Sequence, residues 1–411
     1  VRLQVDGSWR RFDDVVLAGS PLRVFRLTPG GTAIARALEA GGDVSRSTLT
    51  DRLLDAGAAH PLRTVGAPQR FGTQDVTVVT PQLGGIAHDD GRITVDDGSV
   101  PPIVGASVRL EANRGPAAAR NAARPLVTTP LVAFLDADVD TADQHWIAGL
   151  LWHFDDPGVG AVAPRVCGEI RSPLDLGDQP ARIRAGTRVS YVPGAAILVR
   201  VEALDAVGGF DERLRFGEDV DLVWRLDEGG WSCRYDPSVR VWHEPRGTWR
   251  ARLRQHAGYG TSAAPLALRH PRALSPVHVN GWTAATWALA LLGQPLGAGA
   301  LGVASSAALV RTLPGVPARA SFGLAVRGHL LAGRQLAEAT RRVWWPIVAV
   351  AALRSRRARW WLALAVLADV GRAPTDAAYG WGVWAGVRRL RTAAPLVPRL
   401  SAWPPRRRPA R

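Results

Sequence analysis

The sequence predicts an α/β protein: a parallel sheet covered by helices on both faces, preceded by a small separate unit and followed by an apolar helical region. The alternation of short β-rich runs with helical segments predicts the sheet. The runs are Val76-Thr77-Val78-Val79, Ile93-Thr94-Val95, Ser107-Val108-Arg109-Leu110 and Leu131-Val132-Ala133-Phe134-Leu135. Two acidic motifs sit at the boundaries of that pattern. Asp136-Ala137-Asp138 follows the last run directly, and Gly217-Glu218-Asp219-Val220-Asp221-Leu222 precedes a segment with helical apolar spacing. A chain of 411 residues is long enough for such a domain and an appendage on either side.

Residues 1–62 read as a winged-helix-like module. Val15-Val16-Leu17 and Arg23-Val24-Phe25-Arg26-Leu27 are short strands. Thr28-Pro29 then matches a capping residue followed by proline in the first helical turn, with Ile34 and Leu38 continuing the apolar face. A second helix is expected over 47–54, ending near Gly57. Residues 63–75, with Gly66, Pro68 and Gly72, form a linker. The sheet domain is expected over 76–275.

Residues 276–411 form the helical region. No charged residue occurs from Val279 to Val310, a run longer than the ~20 residues needed to cross a bilayer. Gln294-Pro295 and several glycines interrupt it, so a transmembrane helix with a break or a re-entrant hairpin is expected in a membrane-associated region, with a buried helical subdomain as the alternative. The stretches 343–353 and 360–370 are shorter, and their arginines and tryptophans suit interfacial anchoring.

Charge points the same way. All 51 basic residues are arginine and the net charge is +15. Over 76–244 the two signs are mixed, whereas Arg354, Arg356, Arg357, Arg359 and the tail Arg406-Arg407-Arg408 lie beside apolar stretches, favouring a membrane surface over nucleic acid. No nucleic-acid-binding signature accompanies the charge. Cys167 and Cys233 match no metal spacing or disulfide framework and read as buried thiols. The amino-terminal residues show no secretory pattern, so the expected location is the cytoplasmic face of the cell membrane.

Residues two apart on a strand face the same side, so Asp136 and Asp138 bring two carboxylates together at a strand's carboxyl end, where open α/β sheets bind ligands. A lone Asp-x-Asp is common and by itself reads as a solvated turn. A hard divalent ion, Mg²⁺ or Mn²⁺, prefers such oxygens and completes its shell with phosphate, so the pair makes sense if the ligand is a nucleotide diphosphate. Glu218, Asp219 and Asp221 begin a helix. Acids there stabilise the helix dipole without chemistry, but three within four residues exceed what capping needs, and a positioned carboxylate can accept a hydroxyl proton. The segment from Asn113 to Asn121 joins a strand to a helix through Gly115. Its small residues allow close backbone approach, and its arginines suit either phosphate or a solvated face. Asp96-Asp97-Gly98-Ser99 is ordinary turn chemistry.

Taken in order, Val95 to Ser99, Asn113 to Asn121, Phe134 to Asp138, Val207-Gly208-Gly209-Phe210-Asp211-Glu212 and Gly217 to Leu222 resemble the motif series of the inverting GT-A glycosyltransferases of family 2. The resemblance implies a GT-A nucleotide-sugar-binding fold and a single displacement at the anomeric carbon, with Asp219 as base and Glu218 helping to place the acceptor. It implies that Asp97 and Asp96 contact uridine. Pro81, Asn113, Arg120, Asp136 and Gly194 of Pro193-Gly194-Ala195-Ala196 would lie around the donor. Asp138 and Asp136 would hold the metal, joined by His243 of Val241-Trp242-His243, for which ligand and structural roles stay equally open.

The wider layout is similar to one subgroup, the glycosyltransferases of mycofactocin systems, and the first sixty residues to the small peptide-binding domains of ribosomal-peptide maturation. That likeness implies UDP-glucose as donor and a peptide-derived redox cofactor, or its precursor peptide, as acceptor. A lipid-linked or cell-envelope acceptor, and a degenerate fold kept as a peptide-binding scaffold, are the alternatives. Two features depart from the family pattern. Residues 79–95 leave no room for a full helix between the first two strands, and the Gln-x-x-Arg-Trp motif of processive synthases is absent, which disfavours long-chain polymer synthesis.

Overall fold

Thr28 opens the first helix as its sequence context demands: its hydroxyl accepts from the Gly31 amide at 3.2 Å, and Pro29 occupies the first turn, where no amide is needed. The computed structural model describes all residues except 65, 67, 142–144, 169–173, 244–247, 272 and 402–411, so the expected basic tail at 406–408 lies outside the described residues. The chain forms two compact units, Val1–Pro245 and Arg246–Arg411. The second begins ahead of the composition change at Pro276.

The first unit starts with a small α/β module. Its elements are β1 (Leu3–Val5), β2 (Arg10–Phe12), β3 (Val15–Ala18), β4 (Arg23–Arg26), α1 (Pro29–Glu39), α2 (Thr48–Asp55) and β5 (Ala59–Pro61). Strands β2-β3-β4 form an antiparallel meander, and β5 returns antiparallel to β1. Ser47 and Thr50 cap α2 reciprocally, each side chain meeting the other's backbone. Trp9, Val16, Phe25, Leu38 and Leu53 are buried together as the module's own core.

The larger sheet contains β6 (Val76–Gln82), β7 (Ile93–Asp97), β8 (Val108–Leu110), β9 (Leu131–Leu135), β10 (Val139–Asp140), β11 (Val159–Cys167), β12 (Ala181–Ile183), β13 (Ala196–Arg200) and β14 (Ser232–His243). Helices α3 (Pro116–Ala122), α4 (Trp146–Leu150), α5 (Val201–Ala206) and α6 (Glu218–Glu228) connect them. The order is β10-β14-β11-β13-β9-β6-β7-β8, with β12 beside β14. The expectation of a parallel sheet holds for β8-β7-β6-β9 and for the pair β11-β14. Between β9 and β11 runs β13, antiparallel to both, so the sheet is mixed. Both β9 and β13 are buried at every residue, which hides strand direction from pattern reading: a strand covered on both faces shows no alternation. No helix forms over 83–92, as the short spacing between β6 and β7 predicts.

The register of β13 against β9 brings two loops together. Ala196 pairs with Leu135, so Gly194 and Ala195 arrive beside Asp136, whose amide donates to the Ala195 carbonyl at 2.9 Å.

The second unit is helical: α7 (Trp249–Thr261), α8 (Ala263–Arg269), α9 (Gly281–Leu291), α10 (Pro295–Thr312), α11 (Ala318–Ala339), α12 (Trp345–Arg354), α13 (Arg356–Leu367) and α14 (Ala373–Leu390). Two short strands, β15 (His278–Asn280) and β16 (Arg399–Ser401), pair in parallel. Here the transmembrane expectation is overturned. Among the described residues no helix is long and apolar enough to cross a membrane. The uncharged run splits at Gly293, whose φ of 78° ends α9 after 11 residues, before α10 starts afresh at Pro295. The stretch after Val343 is likewise cut at Ser355 into helices of 10 and 12 residues. Helix α11 has the length, with 22 residues, but carries Arg319, Arg327, Arg334 and Glu338.

Candidate active site

Three structural ends converge at the carboxyl edge of the sheet: the end of β9, the loop entering β13 and the start of α6. Asp136 directly follows β9 and its side chain is one-third exposed. Gly217 precedes α6 with φ 77°, a left-handed conformation that turns the chain so that Glu218 and Asp219 open the helix facing the loop. Asp219 accepts the Gly194 amide on one oxygen and its neighbour Val220's amide on the other, both at 2.8 Å. A carboxylate has about four lone-pair sites, so two remain for a proton.

Arg120 joins these pieces. It projects from α3 among buried Ala117, Ala118 and Ala119 and is itself only 2 % exposed. One terminal nitrogen donates to Glu218 Oε1 at 2.9 Å. The other donates to Asp136 Oδ1 at 2.8 Å and to the Gly194 carbonyl at 3.1 Å. Its guanidinium also lies 5.2 Å from the centre of the Phe210 ring. The sequence left phosphate and a solvated face open for this side chain; in the structure it is enclosed by the acids. The signal for burial was the run Ala117-Ala118-Ala119 before it, all three buried. Asn121 is a second residue whose role the motif left unread. It accepts from the Phe210 amide at 2.9 Å and donates to the Phe210 carbonyl at 2.8 Å, stapling the 207–212 turn to α3.

The electrostatics follow from this packing. Burial works against charge on Arg120, yet Asp136, Glu218 and Asp219 more than reverse it and hold the guanidinium charged. Burial raises all three acids. Glu218 is pushed to about 7 by burial and by Asp219, against the pull of Arg120. Asp219 is raised by burial, with the Gly194 amide and Arg120 opposing. Asp136 is raised by burial and by Asp138, again against Arg120. A carboxylate lifted toward neutrality is a stronger proton acceptor once ionised.

Asp138 is exposed, and the His243 Nε2 lies 3.4 Å from its Oδ2. This proximity depends on β10 pairing with β14, which sets Val139 opposite His243. Hydrogen bonding to Asp138 raises the His243 pKa despite partial burial. Among the described residues there is no group of three or more His, Cys, Asp or Glu side chains able to hold a metal ion. Asp138 and His243 are two suitable donors at one edge, as in a site whose remaining ligands come from a diphosphate and water.

The other predicted donor residues sit at the same sheet edge with different duties. Asp96 is fully buried and accepts from the Ser99 amide, the Ile103 amide and Arg109. Burial pushes its pKa up, and those bonds more than reverse the effect. Asp97 is 5 % exposed and accepts the Arg114 and Gly115 amides at 2.7 and 2.9 Å. Both therefore brace loops in this structure. Asn113 accepts from Arg215 through its side chain and its carbonyl. Pro81 lies in β6 opposite Val95. Cys167 and Cys233 are free and buried, as expected.

Residues 103–259 match the model of the glycosyltransferase-like family 2. Over 97 % of its length the chain aligns with 96 % of the pre-mycofactocin glycosyltransferase of Mycobacterium tuberculosis, at 37 % identity. A shorter match, 41 % identical over 75 residues, links it to the N-acetylglucosaminyl-diphospho-decaprenol L-rhamnosyltransferase of the same organism, covering 18 % of this chain and 24 % of that one. Among solved structures, a mannosyltransferase from Pyrobaculum calidifontis in complex with GDP-Man and Mn²⁺ is similar at 18 % identity and a TM-score of 0.43, over 79 % of this chain and 90 % of that one. An acid pair at a strand end, a second at a helix start and near end-to-end similarity to a transferase agree: the chain is a glycosyltransferase of family 2 and belongs with the pre-mycofactocin glycosyltransferases.

Proposed function

We propose that the chain transfers glucose from UDP-glucose to the peptide-derived redox cofactor mycofactocin, or to its precursor, with inversion at the anomeric carbon. The observation that carries this reading is the placement of Asp219. Its carboxylate is fixed by two backbone amides, raised by burial, and set beside Gly194 on the loop leading into β13. In a single displacement the acceptor hydroxyl attacks the anomeric carbon as its bond to the diphosphate breaks, and Asp219 takes the hydroxyl proton. Glu218, beside it and bonded to Arg120, would accept a hydrogen bond from the acceptor and orient it. Gly194 gives the donor sugar a floor without a side chain.

A divalent cation would be held by Asp138 and His243, with Asp136 adjoining; when bound it supplies positive charge to the departing diphosphate. Asp136, tied to Arg120, is oriented toward the same edge. The donor and acceptor identities rest on the likeness to the Mycobacterium tuberculosis relative and on the motif resemblance. The test is to incubate the purified protein with UDP-glucose, Mn²⁺ or Mg²⁺ and a pre-mycofactocin acceptor, and to follow hexose addition by mass spectrometry. A β-linked glucoside is expected. Hydrolysis of the donor without hexose on the acceptor would refute the acceptor assignment, and an α-linked product would refute inversion.

A further inference from the structure

The strap that carries Gly194 to Asp219 is anchored at its other end to the N-terminal module. It begins at Arg184, after β12, and its contacts can be followed in order. The Arg184 Nε donates to both oxygens of Asp227 at 3.0 Å, while its terminal nitrogens donate to the Asp55 carbonyl at 3.2 Å and to Asp55 Oδ1 at 2.8 Å. Asp55 ends α2 of the module, and Asp227 lies in the last turn of α6. The Arg188 amide then donates to the Ser20 hydroxyl, again in the module, at 2.6 Å. The Ser190 carbonyl accepts from the Trp224 indole of α6 at 2.7 Å. Finally the Gly194 amide meets Asp219 and its carbonyl meets Arg120.

Asp227 would be poorly placed alone. An acid in a helix's last turn opposes the dipole, and this one is only 15 % exposed. Arg182 and Arg184 both contact it, so the far end of the helix that presents Asp219 is held by arginines. Arg184 divides its planar fork between that helix and the module, a geometry that a point charge cannot reproduce. A Cβ on Gly57 of the module would meet the Arg182 Cβ at 3.5 Å, so the module rests directly on β12.

The geometry points to Arg184 as a positioning residue through which the N-terminal module sets the placement of the Gly194–Asp219 contact. The module is then part of the catalytic architecture as well as a unit of its own. This inference rests on Asp219 as the base in the proposed function.

The test uses the full-length chain with Arg184→Gln, Arg184→Lys, Asp55→Asn and the double variant of Arg184→Gln with Asp55→Asn. Misplacing a reacting group by about 1 Å can cost up to ~10²-fold in rate, so a fall in kcat of about tenfold is expected for Arg184→Gln, with the donor KM little changed. Asp55→Asn is expected to lower kcat in the same sense. The double variant should be no worse than Arg184→Gln alone, and Arg184→Lys should recover only part of the loss. Amide exchange over 184–194 should quicken while exchange in β9 and β13 stays slow, a pattern that general destabilisation would not give.

Asp55 is half exposed and on the module side, so its variant reads the same link should Arg184→Gln fail to fold. Wild-type kcat in Asp55→Asn, or losses that simply add in the double variant, would overturn the inference. Failure of the base assignment is separately visible: Asp219→Asn would then turn over normally, while exchange of the strap would still respond to Arg184→Gln.

Discussion

Replacing Arg120 by methionine removes the cation that pairs with both Asp136 and Glu218, while keeping a side chain of comparable reach. Arg120 is 2 % exposed and Glu218 side-chain exposure is 9 %, so water cannot take over readily. Breaking a buried ion pair by deleting one partner costs about 3–5 kcal/mol. Part of that cost is offset because arginine burial is itself unfavourable, the largest opposing influence on its charge. A net loss of about 3 kcal/mol at pH 8 is expected, roughly 150-fold in the folding equilibrium. The pH dependence carries the diagnosis. These acids have folded pKa values above their unfolded ones, so the folded state binds more protons between the two values, and stability falls as pH rises through that window. Without Arg120 their folded values rise further, so the variant's deficit should shrink from pH 8 toward pH 5. Urea unfolding at several pH values checks this. A loss below about 1 kcal/mol that is flat with pH would refute the shared-cation account.

The same geometry predicts other outcomes. In Gly194→Ala the new Cβ would lie 3.0 Å from an Arg120 nitrogen and 3.3 Å from the Asp219 Cβ, so about 1–3 kcal/mol of strain should appear as lower kcat with the fold intact by circular dichroism. Asp138→Ala and His243→Ala should each weaken metal activation, and an unaltered Mn²⁺ titration in both would count against that edge as the metal site. The kcat of the wild type should fall on acidification through the neutral region, since Glu218 at about 7 and the raised Asp219 must be ionised to act. A profile that stays level down to pH 5 would contradict this.

The legible parts of the site are those set by local pattern. Asp136 and Asp138 can be placed at a strand end because five apolar residues precede them, and Glu218 and Asp219 at a helix start because Leu222, Val223 and Leu226 follow with helical spacing. Arg120 cannot be read this way because its partners lie 16, 74 and 98 residues away, beyond any local pattern. The antiparallel course of β13 is hidden for a related reason, since a strand buried on both faces does not announce its direction. In the second unit apolar length suggests a membrane span, but Gly293 and Ser355 divide that length, and among the described residues no helix is both long and apolar enough to cross. Asp96-Asp97-Gly98-Ser99 reads as turn chemistry from residue type, and the bonds of Asp96 to the Ser99 and Ile103 amides and of Asp97 to the Arg114 and Gly115 amides add longer-range partners that local pattern does not name.

The most direct test of the catalytic assignment is turnover by Asp219→Asn with UDP-glucose, saturating Mn²⁺ and a pre-mycofactocin acceptor. Asparagine keeps the shape and can still accept the Gly194 amide, but it cannot take a proton. Loss of a positioned base typically costs ~10²–10⁴-fold, so kcat should fall within that range while nucleotide affinity measured by calorimetry stays near wild type. Turnover within about threefold of wild type, with nucleotide binding intact, would contradict the assignment of Asp219 as the base.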